Sequence, residues 1–278
     1  MNKIQDHEIP QNTRLYFGKS AQLKRDIEYI SSKILVENGF KEILTPFFVY
    51  HQSKALDENE VIRVSDEKNR NIILRSDSTF DVAKIVTKRL DIKKDHKWFY
   101  IQPVFRYPVE EIYQIGAEWL ENSQTSPMIN IASKIFDKLK IKTNLQISNI
   151  AIPKLISQNL GIDIDLFKNG FLSDVSSEQW FKELMFVQNF EDLVNIKDII
   201  PEFLKDEVEK LINIVKDVNH ENIILAPLYF SKLKYYDGMF FRFLEGNETY
   251  CKGGHYKSNE IDANGFAIYV DDVIERLS

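Results

Sequence analysis

The chain has 278 residues, 44% hydrophobic and 28% charged, an ordinary make-up for a globular protein of one or two domains at about 150 residues each. A disordered chain and a collagen-like repeat are excluded, and with Cys251 as the single cysteine so is a disulfide scaffold. With 36 Lys and Arg against 42 Asp and Glu the net charge is −6, and an acidic surface repels phosphate backbones, so no nucleic-acid partner is expected.

Lys88-Arg89 and Lys93-Lys94 are too sparse for a basic patch and read as a solvated helix end. Met1 to His7 is polar, without the apolar stretch of a secretory leader, and nothing approaches the roughly 18 apolar residues of a membrane span. No membrane partner is expected, and a lone thiol suits the cytoplasm.

Ser20 to Asn38 has helical spacing, with Leu23, Ile27, Ile30 and Ile34 on one stripe and Gly39 just past its end. Ile43 to Tyr50 is apolar but holds Pro46, which suits an edge strand. Val61 to Val64 and Asn71 to Arg75 flank a charged turn and predict a hairpin. Ser78 to Leu90 is helical by spacing. Lys97 to Arg106 and Ile112 to Leu120 are strand-like, rich in aromatic and branched residues.

Ser126-Pro127 marks a helix start, the cap followed by proline at the first helical position. Thr143 to Ile150 is a short strand, and Ile152 to Val218 is wholly helical in pattern. Strands return at Asn222 to Tyr229, Tyr235 to Phe243, Thr249 to Lys252 and Gly265 to Val270. The expected fold is therefore α+β, an antiparallel sheet flanked by helices, with a helical insertion at about 152–218.

Strand alternation places Tyr113, Ile115, Ala117 and Trp119 on one face and Gln114, Gly116 and Glu118 on the other. An amide, a gap and a carboxylate in a row make either a polar pocket floor for an ammonium ligand or the wet face of an antiparallel sheet, the commoner case. Arg106 is either a carboxylate or phosphate clamp or a surface arginine. In Arg75-Ser76-Asp77-Ser78-Thr79, Asp and Ser first serve as caps for the following helix, with ligand binding a second use of Asp77. Gly253-Gly254 is usually just a turn, though paired glycines also permit close backbone approach. His7, His51, His96, His220 and His255 show no metal-ligand spacing. Cys251 near His255 reads as a buried thiol ahead of a nucleophile and base.

Taken in order, these segments resemble the class II aminoacyl-tRNA synthetase core, specifically histidyl-tRNA synthetase and its paralogues. Gly39-Phe40-Lys41-Glu42-Ile43-Leu44-Thr45-Pro46 resembles motif 1, which implies a self-dimer through this region. Leu74-Arg75-Ser76-Asp77-Ser78-Thr79 resembles the Leu-Arg-Pro-Glu/Asp-x-Thr segment, whose acid holds the amino group of histidine. Trp98 to Tyr107 and Gln114-Ile115-Gly116-Ala117-Glu118 resemble the halves of motif 2. Tyr235-Tyr236-Asp237-Gly238 and Gly253-Gly254-His255-Tyr256 resemble the histidine-specific segments. The resemblance thus implies a histidine-like pocket of Asp77, Thr79, Arg106, Gln114, Glu118, Tyr235, Tyr236, Gly253 and Gly254. Asp77, Gln114 and Glu118 would receive the α-ammonium, Tyr235 and Tyr236 would wall the imidazole, and Arg106 would hold a carboxylate.

The departures from a synthetase point away from catalysis. Pro108 stands at the motif 2 Glu position, and only six residues, Pro108 to Tyr113, precede Gln114. Ser231 and Asp272 stand where arginines serve adenylate chemistry and ATP phosphates, and His255 follows the glycine pair in place of arginine. The chain, ending at Ser278, is expected to be a single domain with no anticodon-binding domain, no cofactor and no metal. The resemblance is to the non-catalytic paralogues that regulate ATP phosphoribosyltransferase. It implies a short-form catalytic subunit as partner, typically in a hetero-octamer, and histidine as effector. The alternatives are a synthetase-like ligase activating an amino acid for a non-tRNA acceptor and a small-molecule sensor of some other protein.

Overall fold

A computed structural model of the chain describes residues 9–50, 59–90, 95–170, 172–173, 176–231, 235–258 and 260–278. His7, His51, Lys93 and Lys94 lie outside them. Helix α1 (Gly18–Glu37) buries Ile27, Ser31, Ile34 and Leu35 and ends where Gly39 takes φ +82. That left-handed residue lets the Phe40 amide bond back to Leu35 and the Gly39 amide to Val36, closing the last turn.

The stretch predicted as one strand around Pro46 is instead two short strands, β1 (Lys41–Glu42) and β2 (Phe48–Tyr50). Proline has no amide to give a ladder, and side chains take over the backbone between the strands. The Thr45 amide donates to Gln102 Oε1, and Arg75 Nη1 donates to the Thr45 carbonyl. Strands β3 (Arg63–Ser65) and β4 (Asn71–Leu74) form the predicted hairpin, and β2 joins β4 in an antiparallel three-stranded sheet ordered β2-β4-β3.

Helix α2 (Ser78–Arg89) leads to the long hairpin β5 (Lys97–Arg106) and β6 (Glu110–Leu120), paired from Lys97↔Trp119 to Arg106↔Glu110. Helix α3 (Ser126–Leu139) starts one residue earlier than predicted: Thr125 holds the cap position, Ser126 is helical, and the Thr125 hydroxyl bonds Asn264 Oδ1 at 2.5 Å. Strand β7 (Asn144–Asn149) is followed by α4 (Ala151–Leu160), α5 (Asp165–Asn169), α6 (Gln179–Met185), α7 (Phe190–Asn195) and α8 (Glu202–Asp217). Strand β8 (Ile223–Leu225) is shorter than predicted, and its Leu225 amide bonds the Gln188 carbonyl. Strands β9 (Tyr236–Glu245), β10 (Glu248–Ser258) and β11 (Ile261–Tyr269) follow. Helix α9 (Val270–Leu277), absent from the sequence reading, ends the chain's described part.

The large sheet runs β1-β5-β6-β11-β10-β9-β7-β8. The expected antiparallel sheet is in fact mixed, because β1 pairs with β5 and β8 with β7 in parallel at its two edges. One face carries Phe99, Ile115, Ala117, Phe241, Phe243, Phe266 and Ile268 into a core with α1, α3, α8 and α9. Burial of such side chains is worth roughly 1.5–3 kcal/mol each and holds the molecule together. On the opposite face α2 covers only one end, with Val82, Ala83 and Val86 against Tyr100, Tyr236, Tyr256 and Ala263.

Candidate functional site

Register assembles the site. Tyr100 lies opposite Gly116, Gln102 opposite Gln114, and Gly265 opposite Glu118, so these side chains share the sheet face beneath α2. A Cβ on Gly116 would strike the Tyr100 ring, and one on Gly265 would strike the Glu118 carboxylate. The gap read at Gly116 is thus filled by a tyrosine of the next strand. The polar face is not wet: Glu118 is 0% exposed and Gln114 7%.

Glu118 is the chemical centre. Its Oε2 accepts from the Tyr256 hydroxyl at 2.7 Å, while Oε1 is buried with no hydrogen-bond partner. Burial pushes its pKa from 4.5 up to about 8; the Thr79 and Tyr256 hydroxyls favour the charged form, and the nearby charge of Asp77 opposes it. Thr79 is buried, its hydroxyl 3.4 Å from that of Tyr100. Tyr235 and Tyr236 stand 4.4 Å apart by ring centroid, and Tyr235 meets Tyr256 edge-on at 5.9 Å. Burial raises the phenols of Tyr100, Tyr235, Tyr236 and Tyr256 well above their ordinary range, so all four are neutral donors. The field of Asp77 reaches each of Tyr100, Tyr235, Tyr236 and Glu118, which places it in the same cluster. A buried carboxylate with an open oxygen, a second acid and tyrosine walls suit a ligand bearing an ammonium or imidazolium.

The structure therefore brings Asp77, Thr79, Glu118, Tyr235 and Tyr236 together. Gln114 faces Gln102 and Tyr269 one pair further along, and its amide has no hydrogen-bond partner among the described residues. Arg106 stands apart, four residues beyond Gln102 or roughly 13 Å along the strand. It lines a separate polar cleft with Lys252, Tyr269 and Asp272.

Gly253 and Gly254 are not in a turn. They lie mid-strand in β10, where a Cβ would strike Phe241 and the Met239 carbonyl respectively, so protein atoms account for both. Cys251 is fully buried and its thiol is pushed well up by burial, which removes it as a nucleophile. His255 is held instead by Asp237 at 2.6 Å and Asp262 at 3.1 Å. Burial opposes its charge, but the two carboxylates outweigh that and raise its pKa. Among the described residues no group of three or more His, Cys, Asp or Glu is placed to hold a metal.

Tyr100 and Tyr256 were not singled out from the sequence. The signal for Tyr100 was available, since a glycine one strand over at its register position is where a large ring fits. Arg75 proves structural: fully buried, it donates to the Pro103 and Thr45 carbonyls and stacks 4.8 Å from Phe47.

Residues 18–169 match the histidyl-tRNA synthetase family, over half of the chain. The ATP phosphoribosyltransferase regulatory subunit of Wolinella succinogenes is 43% identical over 278 residues, covering 99% of this chain and 97% of that one. The protein of the same name from Helicobacter hepaticus is 41% identical, covering 99% of each. A crystal structure titled as an ATP phosphoribosyltransferase regulatory subunit/histidyl-tRNA synthetase, from Bacillus halodurans, superposes with a TM-score of 0.86 at 18% identity, covering 99% of this chain and 84% of that one. The fold is that of the class II histidyl-tRNA synthetase core. Within that class, the chain belongs to the family of ATP phosphoribosyltransferase regulatory subunits. No helix among the described residues is long and apolar enough to cross a membrane.

Proposed function

We propose that this chain is a non-catalytic regulatory subunit of ATP phosphoribosyltransferase, required for the first step of histidine biosynthesis and taking part in its feedback control by histidine. The observation that carries the reading is Glu118: buried, with one carboxylate oxygen unpartnered, inside a tyrosine cluster of a chain 43% identical to a protein bearing that name. Histidine binds with its cationic groups on Glu118 and Asp77 and its ring among Tyr235 and Tyr236. Thr79 and Gln114 add polar contacts.

Several features support the absence of synthetase chemistry. The β5–β6 connection is a tight turn at residues 107–109, with no long loop to close over a nucleotide. Asp272 occupies the cleft with Arg106, its pKa raised to about 6 by burial and then by Glu275, Asp271 and Glu248, a setting that disfavours triphosphate. The whole chain is read as a single domain, residues 152–218 being an insertion. It dimerises through the motif 1 region and joins short-form catalytic subunits in a hetero-octamer in the cytoplasm. Control by histidine follows if one state of that assembly binds it better than another.

The test is phosphoribosyl transfer from phosphoribosyl pyrophosphate to ATP by the cognate short catalytic subunit, with and without this chain and with and without histidine. The chain is expected to raise the rate and histidine to lower it in the mixture. An unchanged rate with no co-elution of the two proteins overturns the reading.

A further inference from the structure

The tyrosine wall of the pocket stands beside a distortion of the sheet that one charged side chain occupies. Gly254 of β10 pairs with Phe240 of β9 and Tyr256 pairs with Tyr236, so the single residue His255 faces Asp237, Gly238 and Met239. A bulge of this kind takes backbone out of the ladder and re-aims the side chains next to it. Those side chains are Tyr236, with Tyr235 before it, and Tyr256, whose hydroxyl reaches Glu118. Gly238 makes room for the imidazole, since a Cβ there would stand 3.1 Å from His255 Nδ1.

His255 is held from both sides. Its Nδ1 lies 2.6 Å from Asp237 Oδ1 in the bulge, and its Nε2 lies 3.1 Å from Asp262 Oδ1 on β11. A carboxylate only accepts, so both contacts are hydrogen bonds at once only when the ring carries two protons and a positive charge. A neutral ring keeps one N–H and turns a lone pair towards one of the acids. The other charged groups here are lysines. Lys257 Nζ lies 3.7 Å from Asp262, and Lys154 of α4 reaches the Tyr236 carbonyl at 3.4 Å and adds its field to Asp237. Asp262 thus has a second cation at hand, whereas among the described residues Asp237 has only His255 within ion-pair distance. Burial opposes the charge on the ring and the two carboxylates outweigh it, so His255 titrates above 6.5.

We infer that His255 is a positioning residue for the tyrosine pocket: its imidazolium anchors Asp237, keeps the bulge closed and so sets Tyr235, Tyr236 and Tyr256 for the ligand. Loss of the proton releases one of the two acids and lets that wall relax, although no residue that touches the ligand has changed its own charge. The inference rests on the reading of this pocket as a histidine site.

The test is calorimetry of histidine binding to the full chain, to His255→Arg and to His255→Gln across the titration of the ring. Glu118 and the ligand's own ammonium titrate alike in all three, so affinity ratios isolate position 255. The ratio of wild type to His255→Arg should fall by roughly fivefold as the wild-type ring loses its proton, because arginine keeps its charge throughout. His255→Gln, with no charge at any pH, should bind more weakly than His255→Arg by a factor that pH does not change. A merely structural role would lower affinity in both variants at a constant ratio to wild type. In parallel, nuclear magnetic resonance of the ligand-free chain with labelled tyrosine and histidine should show the Tyr235 and Tyr236 ring signals shifting with the midpoint of His255. Constant affinity ratios, or tyrosine signals that ignore that midpoint, overturn the inference. If none of the three chains binds histidine while the tyrosine signals follow His255, the histidine reading falls and the positioning role stands.

Discussion

Among the described residues Glu118 meets hydroxyls, a second acid and apolar burial rather than a cation, and its carboxyl therefore keeps the proton up to about pH 8 when no cationic ligand is bound. A cationic ligand must displace that proton to pair with the carboxylate. Its affinity should rise by roughly tenfold per pH unit from about pH 6 and flatten near pH 8, with proton release on binding. Calorimetry of histidine binding in buffers of different ionisation enthalpy checks this, and binding at pH 7 without proton release would remove Glu118 as the cation's partner. The same shift fixes the sign for stability. A carboxyl whose folded pKa exceeds its unfolded one binds its proton preferentially in the native state, so its contribution is lost as pH rises from about 4.5 towards 8. Glu118→Gln, neutral and of the same shape, should stabilise the chain on the order of 2 kcal/mol at pH 7 and by nothing near pH 4. It should also abolish the pH slope of ligand binding. Denaturant melts at the two pH values separate this from a substitution that merely disturbs packing.

The strands β6, β10 and β11 bring this carboxylate under cover by means of glycines. Gly265→Ala puts a methyl group against the Glu118 carboxylate and close to the Ala117 carbonyl at 2.9 Å, where backbone cannot give way. It should cost roughly 1–3 kcal/mol in urea denaturation and lower histidine affinity; wild-type stability in this variant would mean that the close approach of β11 to β6 is not needed. At this scale much was legible in advance. The alternation of Gln114, Gly116 and Glu118 against Ile115 and Ala117 depends on the two-residue period of a strand and nothing else, so the faces came out correctly. Whether the polar face was wet was not legible, because its burial comes from α2 and from Tyr100 and Tyr256 on other strands. Pro46 signalled an edge but hid a break that depends on Gln102 and Arg75, side chains far along the chain. The parallel pairing of β7 with β8 joins segments separated by α4 to α8, and no local pattern records it. Helix α9 escaped notice because the predicted strand ends at Val270 and the eight residues after it are too few to show a helical stripe, although acids such as Asp271 and Asp272 are favourable in a first helical turn.

For the molecule as a whole, the segment after α1 presents apolar side chains that the other described residues leave exposed. Leu44 is 70% exposed, Phe47 52%, Phe48 60% and Tyr50 47%. Beside them a cleft of about 580 Å³ is lined by Pro46, Phe48, Val49, Tyr50, Ile72 and Ile85, with Lys84, Lys88 and Arg89 also on its wall. A contiguous patch of this kind costs solubility unless it is an interface. A two-fold contact is the economical solution, because one patch then covers its own copy. The same symmetry makes the test sensitive, since a single substitution enters the interface twice. Leu44→Glu with Phe48→Glu should convert a dimer into a monomer in sedimentation velocity at micromolar concentration, with the fold retained by circular dichroism because both side chains already face solvent in the single chain. The dissociated variant should keep histidine binding, as Glu118 and its tyrosines all come from one chain, but should fail to stimulate the catalytic subunit if the hetero-oligomer is built on this dimer. A wild-type chain that sediments as a monomer, or a double variant that remains a dimer, would locate self-association elsewhere and leave this face to the catalytic partner.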